Sequence, residues 1–250
     1  MLVVVSDLHL GDGSTASSIP ANAFHLFAHR LRETAYFASF RKDGTYKPIE
    51  SLDLVLMGDI LDPLHSTLWL DTAPGALGYT RPWTSFTSPL FSSKLAQTTQ
   101  AILDGNRESL EVLRRFASGE SITVPPANAR GEPDEESKDR IPVKVRTFYM
   151  VGNHDWYYHL KDHAYDAIRR TIIDAMGLAN SVNNFPYDLN EYPEFWEVLE
   201  GYKVFCRHGD YFDHFNFNPS QGRDYSALGD VFTMEVLNRY PLAVQQHFGD

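Results

Sequence analysis

The sequence predicts an α/β fold, because short apolar segments alternate along the chain with longer segments of helical periodicity. Four of the apolar segments end in a group of Asp, His, Gly or Asn residues. Short apolar segments that stop at turn-forming residues are typical of buried strands. Because ligands of α/β sheets bind beyond the carboxyl ends of the strands, the four polar groups also mark the expected functional site.

The individual elements follow from this pattern in chain order. The predicted strands are Leu2–Val5, Leu52–Met57, Val143–Val151 and Tyr202–Cys206. The predicted helices, with apolar residues at helical spacing, are Ala21–Phe40, Ala96–Ala117, Ala164–Met176 and Leu228–Tyr240. Residues 1–250 are expected to form a single domain with an insert at residues 63–142. Within this insert, we expect Pro63–Gln97 to form a cap on the substrate side and Pro125–Pro142 to form a mobile surface loop.

Charge and composition narrow the classes of partner. The chain has 22 Lys and Arg residues against 33 Asp and Glu residues, a net charge of −11, which argues against a nucleic-acid partner. Cys206 is the single cysteine, which excludes an intrachain disulfide and a cysteine-based zinc site. The first residues lack the basic start of a secretory signal, and no apolar stretch approaches the roughly 20 residues of a membrane helix. We therefore expect a cytoplasmic protein without a membrane span.

The polar groups at the strand ends have the composition of a cation site. Carboxylate and amide oxygens combined with imidazole nitrogens suit Mn, Fe, Zn or Co better than Ca. Any one group also fits an ordinary turn, because Gly and Asp favour turns for conformational reasons. Four groups at the same end of successive strands instead favour bound divalent ions. Two such ions about 3.5–4 Å apart are typical of enzymes that cleave phosphate esters.

The order of these groups resembles that of a known family. The blocks that carry the likeness to the calcineurin-like metallophosphoesterase superfamily are Asp7-Leu8-His9, Gly58-Asp59, Gly152-Asn153-His154-Asp155 and His208-Gly209. The resemblance implies a four-layer α/β/β/α sandwich, two divalent metal ions, and hydrolysis of a phosphate mono- or diester by metal-activated hydroxide. The metal ligands that it implies are Asp7 and His9 for one ion, Asn153 and His208 for the other, and Asp59 as the bridge between them.

The same resemblance implies roles for two further residues. His154 would lie beside the leaving-group oxygen, as a proton donor or as an electrostatic stabiliser. Asp62 is the second carboxylate of the block Gly-Asp-x-x-Asp, and it would orient His154 by a hydrogen bond to the imidazole.

One block of the family pattern is missing from the sequence. The family normally closes with Gly-His-x-His, which adds one imidazole to each metal, and neither His214 nor His247 stands in such a block. Three explanations remain open: the chain is part of a longer protein, other groups fill these positions, or catalysis has been lost while the fold is kept. We favour the first, in which case residues 1–250 lack the closing strands of the sandwich.

The expected substrate is a phosphorylated small molecule or a nucleotide-like compound. The acidic residues after His208-Gly209 are similar to those of bacterial UDP-2,3-diacylglucosamine pyrophosphohydrolases. Pro63 stands where protein phosphatases usually carry Arg, which disfavours that class. Arg81 and Arg207 are candidates for phosphate contact, because guanidinium groups match phosphate geometry; structural ion pairs are the alternative for both. The competing functions are a catalytically impaired scaffold that binds a partner protein, favoured by the missing block, and a nuclease, disfavoured by the net charge.

Overall fold

A parallel sheet lies at the centre of the structure, a computed structural model that describes residues 1–183 and 185–248. The strands of this part of the chain are β1 (Leu2–Val5), β2 (Ser51–Met57), β3 (Thr123–Val124), β4 (Ile141–Pro142) and β5 (Lys144–Met150). The central sheet has three strands in the order β1–β2–β5, and β3 pairs with β4 in a separate antiparallel ribbon. The α/β class is therefore confirmed, with β2 as the middle strand of a small parallel sheet.

Helices and short turns connect these strands. The helices of the described residues are α1 (Ala21–Ala38), α2 (Pro89–Gly105), α3 (Arg107–Phe116), α4 (His163–Met176), α5 (Pro193–Tyr202), α6 (Leu228–Phe232) and α7 (Arg239–Phe248). Short 3₁₀ turns occupy Thr67–Leu70, Trp156–His159, Leu189–Glu191 and Gly209–Phe212, and a π-helical turn occupies Thr233–Leu237. No helix in the described parts of the chain has both the length and the apolar character needed to cross a membrane.

The two faces of the sheet bury different apolar clusters. The larger cluster joins one face to α1, α2, α3 and α4, with α1 contributing Phe24, Ala28 and Leu31 from one side of the helix. The smaller cluster joins the opposite face to α5, where Phe195 and Leu199 pack on the residues of β2 and β5. Helices thus pack on both faces, which leaves the carboxyl ends of the strands free to carry the polar groups.

The predicted fourth strand is wrong. Tyr202 is the last residue of α5, and Lys203 ends this helix in the left-handed conformation with φ 57°. The helix starts because Pro193 stands at its first position, where the missing N–H costs nothing. Val204 and Phe205 then remain exposed, with no neighbouring strand among the described residues, and Cys206 is the residue of this segment that packs in the cluster beside the sheet.

Two of the predicted helices also differ in extent. The segment predicted as Ala96–Ala117 forms two helices that meet at Asn106, whose side-chain amide donates to the carbonyl oxygens of Ile102 and Gly11 at 2.8 Å each. The first of them starts earlier than predicted, because Ser88 caps it. The segment predicted as Leu228–Tyr240 is divided by the π-helical turn.

The insert at residues 63–142 contains both core elements and surface segments. Its helices α2 and α3 pack into the larger apolar cluster, and Trp69 and Phe91 are fully buried there and stack with ring centroids 5.6 Å apart. These aromatic rings therefore belong to the core. The later part, residues 125–142, is closed by the β3–β4 ribbon, and Tyr46 holds it by a hydrogen bond to the Pro125 carbonyl oxygen at 2.9 Å. The cap and the mobile loop remain predictions.

Candidate metal centre

The loops that follow β1 and β2 remain paired beyond the ends of the strands. The Asp7 N–H donates to the Gly58 carbonyl oxygen at 3.1 Å, and the His9 N–H donates to the Asp59 carbonyl oxygen at 2.9 Å. The Gly58 N–H donates in turn to the Met150 carbonyl oxygen on β5, at 3.0 Å. The polar residues after the three strands are therefore fixed next to each other by backbone hydrogen bonds, as the strand-end pattern predicts.

Three of the predicted ligands have strained backbones. The φ angles are 56° for Asp7, 45° for His9 and 55° for Asp59, all in the left-handed region. For a residue with a Cβ atom this conformation costs about 1–2 kcal/mol, and such strain is concentrated at functional sites. Among the non-glycine residues of the described chain, only Lys203 shares this feature. The strain is thus concentrated at the sheet edge where the polar groups meet.

Two glycines permit the close approach of the ligands. A Cβ atom on Gly58, where φ is 78°, would lie 2.5 Å from His208 Nδ1. A Cβ atom on Gly152 would lie 2.3 Å from Asp59 Oδ1. Both distances are far below normal contact, so any larger residue at either position would displace a predicted ligand.

Asp59 lies at the centre of the cluster. Its Oδ1 accepts the His154 backbone N–H at 2.9 Å. Its Oδ2 lies 3.8 Å from His9 Nε2 and 3.5 Å from His208 Nε2. One carboxylate oxygen therefore faces the imidazoles of both predicted metal positions, which is the arrangement that a bridging ligand requires.

His208 presents an acceptor atom to this oxygen. Its Nδ1 lies 3.1 Å from the Met57 carbonyl oxygen and donates to it, which fixes the tautomer and leaves Nε2 as the ligand atom. Nε2 faces Asn153 Oδ1 at 3.1 Å as well as Asp59 Oδ2. A neutral imidazole, an amide oxygen and a carboxylate present only acceptor atoms here, and such a set requires a proton or a cation between its members.

His9 forms the second half of the cluster in the same way. Its Nδ1 lies 2.9 Å from Asp62 Oδ2 and donates to it, so Nε2 is the ligand atom on this ring. Nε2 lies 4.0 Å from Asp7 Oδ1 and 3.8 Å from Asp59 Oδ2. Imidazoles that bind a metal through one nitrogen commonly donate the other N–H to a carboxylate, so the geometry of His9 fits that role.

Among the described residues, three groups of His and Asp have ligand atoms within 4.8 Å of one another. Two of them share Asp59: His9, Asp59 and His154 form one, and Asp7, Asp59 and His208 form the other. The third group is Asp62, His65 and His154. The resemblance implies that Asp7 binds the metal of His9. Asp7 Oδ1 lies 4.0 Å from His9 Nε2, and Asp7 also belongs to the group with His208, so it faces both predicted metal positions. The donor set and the two groups around one carboxylate fit a pair of first-row divalent ions.

Asp62 anchors three imidazoles. His9, His65 and His154 each turn Nδ1 to its carboxylate, with N–O distances of 2.9, 2.8 and 3.1 Å. The His65 backbone N–H also donates to Asp62 Oδ1, at 3.0 Å. These hydrogen bonds fill the acceptor capacity of the carboxylate and direct the Nε2 atoms of the three rings away from it. The predicted contact between Asp62 and His154 is part of this larger arrangement.

Burial and hydrogen bonding shift the pKa values of the cluster in opposite directions. Burial by itself raises the pKa of Asp62, but hydrogen bonds from His154, His65 and His9 outweigh it and hold this pKa well below its usual range. Burial lowers the pKa of His154, but the hydrogen bond and charge of Asp62 outweigh it and raise the pKa to about 9. His208 likewise reaches a pKa of about 9, because its hydrogen bond with Asp59 outweighs burial. Without a metal, the imidazoles of His154 and His208 are therefore both in the doubly protonated, positively charged form at neutral pH.

Asp155 supports the loops from beneath. It is fully buried and accepts hydrogen bonds from the backbone N–H of Ile60 at 3.0 Å and of Gly152 at 2.6 Å. The Tyr149 hydroxyl donates to it at 2.6 Å. Burial and the charge of Asp59 raise the pKa of Asp155 to about 6. Its role is to join the loop after β2 to the loop after β5.

Sequence reasoning missed His65. This residue follows Asp62 by three positions on a turn, and its ring centroid lies 5.0 Å from that of His154. The signal in the sequence was the spacing Asp-x-x-His directly after Gly58-Asp59. His214 and His247 join none of the His and Asp groups found among the described residues.

The two arginines predicted to contact phosphate lie in ion pairs. Arg81 is buried, and its Nε donates to Glu235 Oε1 at 2.8 Å. Arg207 pairs with Asp188, and its guanidinium lies 4.5 Å from the ring centroid of Tyr211. The structure thus places both arginines as structural ion-pair residues, which was the stated alternative.

In comparisons with protein-family models, curated proteins and solved structures, no match was found. The evidence for the function of this chain therefore comes from the geometry of the cluster.

Replacement of Gly152 by alanine is expected to weaken Mn²⁺ binding by about tenfold or more, because the added Cβ would displace Asp59. Isothermal titration with Mn²⁺ measures the effect. Gly201→Ala is the matched control, since nothing lies within 4 Å of the Cβ that it adds. Equal affinity in both variants would contradict the central position of Asp59.

The affinity for Mn²⁺ is expected to rise with pH. Because the pKa of His208 is raised to about 9, metal binding near neutral pH must displace its proton. One displaced proton makes the dissociation constant fall about tenfold per pH unit between pH 7 and pH 9. His208→Gln should flatten this slope, and a pH-independent affinity of the unmodified protein would contradict the role of His208.

Proposed function

We propose that the chain is a phosphoesterase of the calcineurin-like metallophosphoesterase type, with a dinuclear metal centre at the ends of β1, β2 and β5. The observation that carries the proposal is the position of Asp59, whose Oδ2 faces the Nε2 atoms of both His9 and His208. A capped turn has no need for such a convergence of acceptor atoms, nor for the backbone strain at the same residues.

The residues that would hold the two ions come from all three strand ends. One ion would be held by His9 with Asp59, the other by Asn153 and His208 with Asp59, and Asp7 faces both positions. Two divalent ions supply charge neutralisation at the phosphoryl oxygens and a water of lowered pKa, which is the chemistry needed to cleave a phosphate mono- or diester near neutral pH.

The chain itself supplies the proton donor. His154 is held by Asp62 through Nδ1, so its Nε2 is directed away from the anchor. Burial lowers the pKa of His154, but the hydrogen bond and charge of Asp62 raise it to about 9 in the metal-free chain, which favours a protonated ring. We assign His154 to protonation or electrostatic stabilisation of the leaving-group oxygen, and Asp62 to the orientation of the imidazole.

The proposal extends to the four-layer sandwich. Helix α5 packs on β2 and β5, and the second sheet would lie against the part of this face that α5 leaves open. Val4 shares that face with Leu2 by strand alternation, and it remains 37% exposed. Phe205, close in sequence to the cluster residue Cys206, remains 69% exposed. Apolar side chains exposed beside this cluster support a further layer on this face.

The experiment compares metal-free protein with the same protein reloaded with Mn²⁺. Each sample is given 4-nitrophenyl phosphate and bis(4-nitrophenyl) phosphate, with a chelator as the control. The proposal expects turnover that appears with Mn²⁺ and disappears with the chelator. Two bound ions per chain without turnover of either ester would instead favour the catalytically impaired scaffold.

A further inference from the structure

The cleft over the metal centre lacks positively charged side chains. It has a volume of about 310 Å³. The residues that line it are Ser6, Asp7, Met57, Asn153, His208, Gly209, Asp210, Asp213 and Asn216. Among these described residues there are three carboxylates and neither a lysine nor an arginine. Apart from the His208 imidazole and the proposed metal ions, the lining residues offer no cation to a phosphate group.

The arginines beside the cleft are committed to other carboxylates. Arg207 precedes the lining residue His208 but pairs with Asp188. Arg223 pairs with Asp210 in a buried contact and lies over the rings of Tyr187 and Phe217. Rotation of either guanidinium towards a substrate would leave a carboxylate without its partner, at a large cost for the buried pair.

The carboxylate of Asp213 lines the cleft and accepts hydrogen bonds from neutral donors. It is exposed, and its two oxygens accept hydrogen bonds from the Phe215 N–H at 2.9 Å and the Asn216 side-chain amide at 2.8 Å. Neither donor carries a positive charge. Asp213 therefore repels an approaching phosphate in proportion to the charge of that phosphate.

Mono- and diesters differ in this respect. A phosphate monoester carries about 1.5 to 2 negative charges at neutral pH, and its recognition commonly uses a bidentate guanidinium. A diester carries a single charge and has a second ester group that needs space and contact. The cleft has no guanidinium for the former. For the latter, three aromatic residues stand next in sequence to the lining residues Asp210, Asp213 and Asn216. They are Tyr211, Phe212 and Phe215, which are 40%, 82% and 42% exposed.

We infer that this cleft selects phosphodiesters over phosphomonoesters, with the ester group that is retained in the product held against the aromatic segment Tyr211–Phe215. The inference rests on the proposed function and names its substrate class. The repulsion by Asp213 and the lack of a free guanidinium disfavour the dianion. Exposed aromatic rings favour a planar ester group, because a planar group can stack on them.

Three esters with the same leaving group test the inference on the Mn²⁺-loaded full chain. They are 4-nitrophenyl phosphate, methyl 4-nitrophenyl phosphate and phenyl 4-nitrophenyl phosphate. We expect kcat/KM for the phenyl diester to exceed that for the monoester by about tenfold or more. Asp213→Asn should lower this ratio about fivefold by raising monoester turnover, because one repelling charge is removed. Asp174→Asn, an exposed carboxylate on α4, is the matched control and should leave the ratio unchanged.

Phe212→Ala tests separately whether the aromatic segment contacts the retained ester group. The side chain is 82% exposed, so its removal should leave the fold intact. We expect KM for the phenyl diester to rise about fivefold and KM for the methyl diester to stay within about twofold.

The outcomes distinguish failure of the diester selectivity from failure of the proposed phosphoesterase function. A monoester preferred over both diesters, with a ratio that Asp213→Asn leaves unchanged, would overturn the selectivity alone. Equal effects of Phe212→Ala on the phenyl and methyl diesters would overturn the role of the aromatic segment in holding the retained ester group. Lack of turnover of all three esters by metal-loaded protein would overturn the proposed function, and the inference with it.

Discussion

Replacement of Asp59 by asparagine is expected to lower kcat/KM for 4-nitrophenyl esters by about a thousandfold or more. The carboxylate is 3% exposed, and its Oδ2 faces His9 Nε2 at 3.8 Å and His208 Nε2 at 3.5 Å. The variant removes the negative charge of the carboxylate proposed to bridge the two metal positions. Steady-state kinetics in excess Mn²⁺, combined with metal analysis of the dialysed protein, measure the loss.

Asparagine is the appropriate substitute at this position. It tolerates the left-handed backbone of Asp59, and its amide oxygen can still accept the His154 N–H. The variant should therefore fold, which circular dichroism can verify. Asp104→Asn, an exposed carboxylate on α2, is the matched control. Activity of Asp59→Asn within about threefold of the unmodified protein would falsify the bridging role.

Replacement of Asp62 by asparagine is expected to weaken metal binding by about 10- to 100-fold and to lower kcat even in saturating Mn²⁺. The carboxylate is the common acceptor for the Nδ1 atoms of His9, His65 and His154. An amide has one acceptor oxygen and presents its NH₂ group to N–H donors, so at least one of these hydrogen bonds is lost. Loss of the hydrogen bond from His9 lowers the affinity for Mn²⁺, whereas loss of the hydrogen bond from His154 lowers kcat.

His65→Asn provides the contrast for this experiment. His65 donates to the same carboxylate but is not among the proposed metal ligands. We expect its affinity for Mn²⁺ to remain within about threefold of that of the unmodified protein. Equal losses of affinity in Asp62→Asn and His65→Asn would show that the cluster acts through general stability, and the assignment of Asp62 as the orienting residue would be wrong.

The sequence was sufficient to predict which polar residues meet at the edge of the sheet. Apolar strands that end in polar residues must bring those residues to one edge when the strands are parallel neighbours, and β1, β2 and β5 are such neighbours. Asp59, His9 and His208 therefore meet although they are far apart in the chain. His208 reaches the edge without belonging to a strand, because its Nδ1 is held by the carbonyl oxygen of Met57 at the end of β2.

Other features depended on contacts that a linear pattern does not encode. Tyr202–Cys206 has the apolar composition of a strand, but the left-handed Lys203 and the absence of a pairing neighbour among the described residues exclude it from the sheet. Arg81 is held by Glu235, which lies 154 positions away in the chain, and Arg207 is held by Asp188, which lies 19 positions away. His65 became visible as part of the site only when three imidazoles converged on Asp62.

Electron paramagnetic resonance of the Mn²⁺-loaded protein tests the central claim most directly. Two Mn²⁺ ions about 3.5–4 Å apart give an exchange-coupled spectrum, which isolated ions do not. We expect two bound ions per chain with a coupled signal, and loss of the coupling in Asp59→Asn, since Asp59 Oδ2 faces both imidazoles. A single bound ion, or two uncoupled ions with the same spectrum in Asp59→Asn, would contradict a dinuclear centre at the ends of β1, β2 and β5.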